Sequence, residues 1–127
     1  MRFQTSLACD ADASSAGRRA LDECLEGSSQ SAVVDSVRIA TSELISNAVR
    51  HGGLASGEEI RLTIDVTSDV VRVIVEQPTG AEEAALVDSA DRTGEGGFGL
   101  AIVEALTDRW GVSEDAPAFV WFEIRLP

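Results

Sequence analysis

Between Ile60 and Glu76 the apolar residues fall on every second position in two successive runs, with a two-residue break between them. Ile60, Leu62, Ile64 and Val66 alternate with Arg61, Thr63, Asp65 and Thr67; after Ser68-Asp69, Val71, Val73 and Val75 alternate with Arg72, Ile74 and Glu76. Two such runs joined by turn residues read as an antiparallel hairpin with one buried face. That face needs cover, and the flanking segments have the helical period to supply it. Residues 12–26 place Ala16, Ala20, Leu21, Cys24 and Leu25 at helical spacing and stop at Gly27. A second helix runs to His51, stops at Gly52-Gly53, and carries a stripe of Val37, Ala40, Leu44 and Ala48; a third carries Leu100, Val103 and Leu106. Short alternating runs at both ends, through Phe3, Thr5 and Leu7 and through Val120, Phe122 and Ile124, add further strands. The order strand, helix, helix, strand, strand, long connection, helix, strand predicts an α+β fold. It is a two-layer α/β sandwich, with a mixed, mostly antiparallel sheet covered on one face by helices. At 127 residues the chain is one domain with enough length for a real core. The connection, about residues 77–96, is long, small-residue and acidic, and reads as a lid that is mobile without ligand.

Two segments carry chemistry. Residues 43–51 read Glu-Leu-Ile-Ser-Asn-Ala-Val-Arg-His, so Glu43, Asn47 and His51 follow one another at i+4 steps. Each step turns only about 40° around a helix, which puts carboxylate, amide and imidazole on one narrow face. The stripe of Val37, Ala40, Leu44 and Ala48 takes the sheet and leaves that face toward one edge. Residues 94–103 read Gly-Glu-Gly-Gly-Phe-Gly-Leu-Ala-Ile-Val, a glycine-rich loop entering an apolar helix. Such a loop aims backbone N–H groups at a phosphate. Acid, amide and phosphate cradle together describe a nucleotide site.

Composition removes competing readings. The net charge is −12, which argues against a direct nucleic-acid surface. All ten cations are arginine, and a chain without lysine has no Walker-A loop, no strand lysine of the eukaryotic-kinase type and no Schiff-base chemistry. One histidine and two separated cysteines make no multi-histidine or zinc site; Cys24 continues an apolar stripe and reads as a buried structural thiol. No apolar run approaches the roughly 18 residues of a membrane span, and the N-terminus Met1–Leu7 is too short and polar for a signal peptide, so a cytoplasmic protein is expected.

The spacing Glu43-xxx-Asn47-xxx-His51 resembles the N-box of the ATPase superfamily that contains gyrase, heat-shock-class chaperones, histidine kinases and the MutL repair proteins, whose shared architecture is the Bergerat fold. Gly97-Phe98-Gly99-Leu100 resembles that superfamily's second glycine box. The phrases Ser-Glu-Leu-Ile-Ser-Asn-Ala-Val-Arg-His and Gly-Leu-Ala-Ile-Val-Glu-Ala-Leu-Thr-Asp-Arg-Trp-Gly-Val, on a chain with no phosphotransfer helix, are similar to the stand-alone anti-sigma-factor serine kinases abundant in actinobacteria. The resemblance implies ATP and Mg²⁺ as cofactors, Asn47 as the magnesium ligand and Glu43 as the base for the attacking hydroxyl. It places Arg50 and His51 near the phosphates. It also puts Gly94, Gly96, Gly97, Phe98, Gly99 and Leu100 along the triphosphate, with Arg92 in the lid as an added cation. The implied partners are a sigma factor and an anti-sigma-factor antagonist protein, with no nucleic acid and no membrane; a homodimer stays open.

One box departs from the family. Where its Asp-x-Gly pattern follows the hairpin, this chain reads Glu76-Gln77-Pro78-Thr79-Gly80. Gln77 stands at the aspartate that accepts from the adenine amino group, and Thr79 at the glycine beside the base. Glu76 is one residue early and points to the opposite strand face. An amide can both accept and donate, without charge assistance. Two functions therefore stay open: a magnesium–ATP serine/threonine kinase, or a degenerate ATPase-fold module acting by protein–protein binding alone. The ATP-binding half of a split histidine kinase is a third, which the missing dimerisation helix disfavours.

Overall fold

The computed structural model describes residues 1–25, 31–51, 59–76, 98–113 and 119–126, giving only the backbone for Ser31, Arg50, His51, Phe98 and Gly99. Five strands, β1 (Arg2–Ala8), β2 (Glu59–Val66), β3 (Val70–Glu76), β4 (Arg109–Ser113) and β5 (Phe119–Arg125), form one sheet in the order β1-β2-β3-β5-β4. Three helices, α1 (Ala13–Cys24), α2 (Ser31–His51) and α3 (Phe98–Leu106), pack against it. The two-layer α+β expectation holds, with one correction. Every described strand pair is antiparallel, so among the described residues the sheet is antiparallel and not mixed.

The predicted hairpin is β2–β3, in register from Arg61↔Glu76 to Val66↔Val71. Its turn is held by Thr67, whose Oγ1 accepts from the backbone N–H of Asp69 (3.2 Å) and Val70 (3.1 Å) while its own N–H donates to Val70 O (2.9 Å). A side chain that satisfies two turn amides fixes the register, and with it which face is buried.

The inward residues Ile60, Leu62, Ile64, Val71, Val73, Val75, Val120, Phe122 and Ile124 are all buried. They meet Leu21 of α1, Val37, Ala40, Leu44, Ile45 and Ala48 of α2, and Leu100 and Val103 of α3 in one core. The α2 stripe is therefore the predicted one, widened by Thr41 and Ile45. The helices cover the sheet in sequence: α1 over β1 and β2, α2 over β3 and β5, α3 beside β4. At 21 residues, α2 is the central helix and touches both others.

One strand escaped the periodicity argument. β4 has five residues, two of them apolar and one glycine, too few to show a period. Its placement comes from Asp108, whose N–H donates to Glu123 O (3.0 Å) and whose Oδ2 accepts from Arg125 N–H (2.6 Å). Gly111 then lies beneath the Trp121 indole, where an added Cβ would stand 2.8 Å from Nε1. Trp110 packs on the core from the helix side, whereas Trp121 and Phe119 lie on the opposite face, half-buried.

Cys24 is half-buried rather than fully buried; desolvation, and secondarily the charge of Glu23, pushes its thiol pKa up, which favours the protonated form. Thr41 is fully buried, and among the described residues its hydroxyl has no partner. An unmet buried hydroxyl costs about 1–3 kcal/mol, and valine keeps the shape without it. Thr41→Val should therefore raise stability by about 1 kcal/mol in chemical denaturation; a loss of that size would show that the hydroxyl is paired.

Candidate functional site

Glu43 and Asn47 lie one turn apart on α2, as their spacing requires, but differ in depth. Asn47 is only 2% exposed, so it sits within the helix–sheet layer and not at an open edge as the stripe argument placed it. The reason is that the buried arc of α2, from Val37 through Ile45 to Ala48, is wider than a single stripe and takes in position 47. Among the described residues its Nδ2 has no hydrogen-bond partner. A half-turn of the amide exchanges donor and acceptor, so the unmet end can offer an N–H to an anion or a carbonyl oxygen to a hard cation. One turn earlier, Glu43 is half-buried and lines a surface cleft of about 430 Å³ with Arg18, Asp35, Arg38, Ile39 and Ser42. The face therefore runs from an open carboxylate to an enclosed amide within one helical turn.

That cleft lies along the seam between α1 and α2, which is built as a polar ladder. Ser14 and Ser46 hydroxyls share a hydrogen bond of 3.0 Å, Arg18 Nη1 donates to Ser42 Oγ at 3.2 Å, and Arg38 Nε pairs with Asp22 Oδ1 at 3.3 Å. The members recur every fourth residue on both helices and run in opposite directions, so the ladder fixes the two helices antiparallel and in one register. Beneath it Gly17 lets α1 close on Ile45, since a Cβ there would collide with the Ile45 side chain. Sequence reasoning missed this seam, because Ser14, Arg18 and Asp22 gain meaning only once α2 is known to lie opposite them.

Of the second motif, Phe98, Gly99 and Leu100 are described; they open α3, which packs against α2. These three residues and the Glu43–Asn47 segment, about fifty residues apart in sequence, thus stand on neighbouring helices. Phe98 and Gly99 open the helix, and Leu100, 2% exposed, is a core residue. Gln77, Thr79, Arg92, Gly94, Gly96 and Gly97, with the lid as a whole, lie outside the described residues, as do the side chains of Arg50 and His51.

A family model for the histidine kinase-like ATPase domain matches residues 7–122. The chain belongs to that family. The match runs from the end of β1 into β5 and so includes both motifs and the long connection between the hairpin and α3. No curated protein matches the chain. Among solved structures, the ATPase domain is similar to the crystal structure of the RsbU and RsbW domains of Rv1364c from Mycobacterium tuberculosis. The TM-score is 0.74 at 22% identity, over 99% of this chain and 32% of that one. At that identity the likeness is one of fold.

Proposed function

We propose that this ATPase domain binds magnesium–ATP, phosphorylates a serine or threonine of an antagonist protein, and regulates transcription in the cytoplasm by exchanging between that antagonist and a sigma factor. The observation that carries the nucleotide part is the Asn47 side chain, 2% exposed and with an unmet amide, one turn from a carboxylate open to a cleft. A buried polar group without a partner costs about 1–3 kcal/mol, and a family that binds nucleotide at this position gives that group a use. The amide oxygen of Asn47 suits Mg²⁺, which keeps most of its waters and takes few protein ligands. Bound magnesium–ATP supplies the phosphoryl group. In this reading Glu43, which lines the cleft, is the base that takes the proton of the attacking seryl or threonyl hydroxyl. The sigma factor and its antagonist come from the sequence resemblance alone.

The test is calorimetric titration of magnesium–ATP into the purified protein. Saturable, magnesium-dependent heat supports the kinase. No heat, with sigma-factor binding unaltered by ATP, favours the second reading, a module that has kept the fold and lost the nucleotide. That reading has its own observation in Gln77 and Thr79 at the adenine box. If the adenine contact alone is weakened, Gln77→Asp restores a charge-assisted acceptor worth about 1–1.5 kcal/mol, roughly tenfold in affinity. Thr79→Gly on top should add to the gain by clearing the side chain beside the base. A double variant that binds no better than the parent would refute the alignment of this box.

A further inference from the structure

The side chains that line the α1–α2 cleft divide into two sets, according to what they leave free for an incoming molecule. Arg18 donates to Ser42 Oγ and to Ser15 Oγ, each at 3.2 Å, and Arg38 is ion-paired to Asp22 at 3.3 Å. Both guanidinium groups and the Ser42 hydroxyl are therefore engaged within the chain. The remaining set is Asp35, Ile39 and Glu43, all on α2. Among the described residues neither of these two carboxylates has a hydrogen bond or an ion pair. Ile39 is 48% exposed, more than any other described large apolar side chain except Met1.

Asp35, Ile39 and Glu43 stand four residues apart on one helix. Each step rises about 6 Å along the axis and turns about 40° around it, so the three make a slanted row: acid, apolar, acid. An extended peptide presents its same-side residues at every second position, about 6.6–6.8 Å apart. The two spacings agree to within about 1 Å per step. Three alternate residues of one extended segment can therefore face the three members of the row. Chemistry decides which residue faces which. Glu43 is the end nearest Asn47, one turn further along α2, so a hydroxyl that is to meet the nucleotide lies there. Ile39 takes an apolar side chain. Asp35 is exposed at the far end and takes a cation, an attraction reinforced by the net charge of −12.

We propose that this row docks the acceptor segment of the protein substrate. It selects an extended sequence in which a serine or threonine, an apolar residue and an arginine or lysine occupy alternate positions. Placing the hydroxyl at Glu43 rests on the kinase reading, whereas the contacts at Ile39 and Asp35 form with or without phosphoryl transfer.

The test uses fluorescein-labelled peptides and the full chain, read by anisotropy with no nucleotide present. The lead peptide contains Ser-Gly-Leu-Gly-Arg, and a second contains the reverse order, because the row fixes spacing and not chain direction. Companion peptides replace the arginine with glutamate or the leucine with glycine. In the better-bound order the arginine peptide should have a Kd about tenfold below its glutamate companion, and the leucine peptide about tenfold below its glycine companion. Asp35→Arg should invert the charge preference, so that the glutamate peptide now binds more tightly; a merely structural Asp35 would not produce that inversion. Ile39→Ala should remove the difference between leucine and glycine and keep the charge preference. Both positions are exposed, so each variant should melt with the parent. Magnesium–ATP-dependent phosphate incorporation into the same peptides separates the two readings. A charge preference in binding without incorporation supports the row and counts against the kinase. Incorporation that ignores the arginine, no binding of any peptide at millimolar concentration, or an Asp35→Arg variant that keeps the parent's preference would each overturn the row.

Discussion

Glu43→Gln is expected to lower phosphoryl transfer to the antagonist protein by about 10²–10⁴-fold, the usual contribution of a positioned general base. Magnesium–ATP affinity should stay within about threefold. The substitution keeps volume and hydrogen-bonding shape and removes only basicity, so it isolates proton transfer from binding. Its place in the fold makes the comparison clean. Glu43 is half-buried on the cleft wall beside Arg18, Arg38 and Ser42, outside the core stripe of α2, so the stability change should stay within about 0.5 kcal/mol. Phosphate incorporation into the antagonist measures the first effect, calorimetry the second and denaturant titration the third. Equal turnover in variant and parent would remove Glu43 from the mechanism. Equal loss of turnover and of nucleotide affinity would make it a binding residue instead.

The parts of the fold that were legible in the sequence are those where one physical period persists. The hairpin of β2 and β3 alternates along its length, and α2 holds a helical stripe from Val37 to Ala48, about three turns. The apolar residues they assign to the core are packed there, whereas the burial of Thr41, Ile45 and Asn47 was not legible. β4 was not legible because its five residues are set by Asp108 reaching back to Glu123 and Arg125, partners in a later strand. The same holds for the polar ladder. Ser14–Ser46 and Arg18–Ser42 join residues 32 and 24 apart, and nothing local to either helix announces them. For the site, spacing alone gives the direction of each side chain around α2 but not its depth. Angle places Glu43 and Asn47 together; only the packing of α2 on the sheet and on α3 reveals that one opens to a cleft and the other is enclosed.

That difference in depth makes Asn47→Ala the second decisive substitution. Magnesium-dependent ATP binding should fall by about 100-fold or more, equivalent to at least about 2.7 kcal/mol, because alanine leaves no oxygen for the cation. The effect on folding depends on two opposing terms. Removing a buried amide whose N–H is unmet relieves part of a desolvation penalty of about 1–3 kcal/mol, while the three lost heavy atoms leave a small void of comparable cost. The net change in stability should therefore lie within about 1 kcal/mol of zero, a far smaller effect than the loss of binding. If Asn47 were instead kept for the fold, its amide would have to be paired, and truncation would strand its partner as well. Melting would then fall well beyond the equivalent of about 1 kcal/mol, and nucleotide affinity would change only as far as the site is distorted. Calorimetry and denaturant titration on the same preparation distinguish the cases, since a ligand residue loses binding with the fold intact and a structural one loses the fold first.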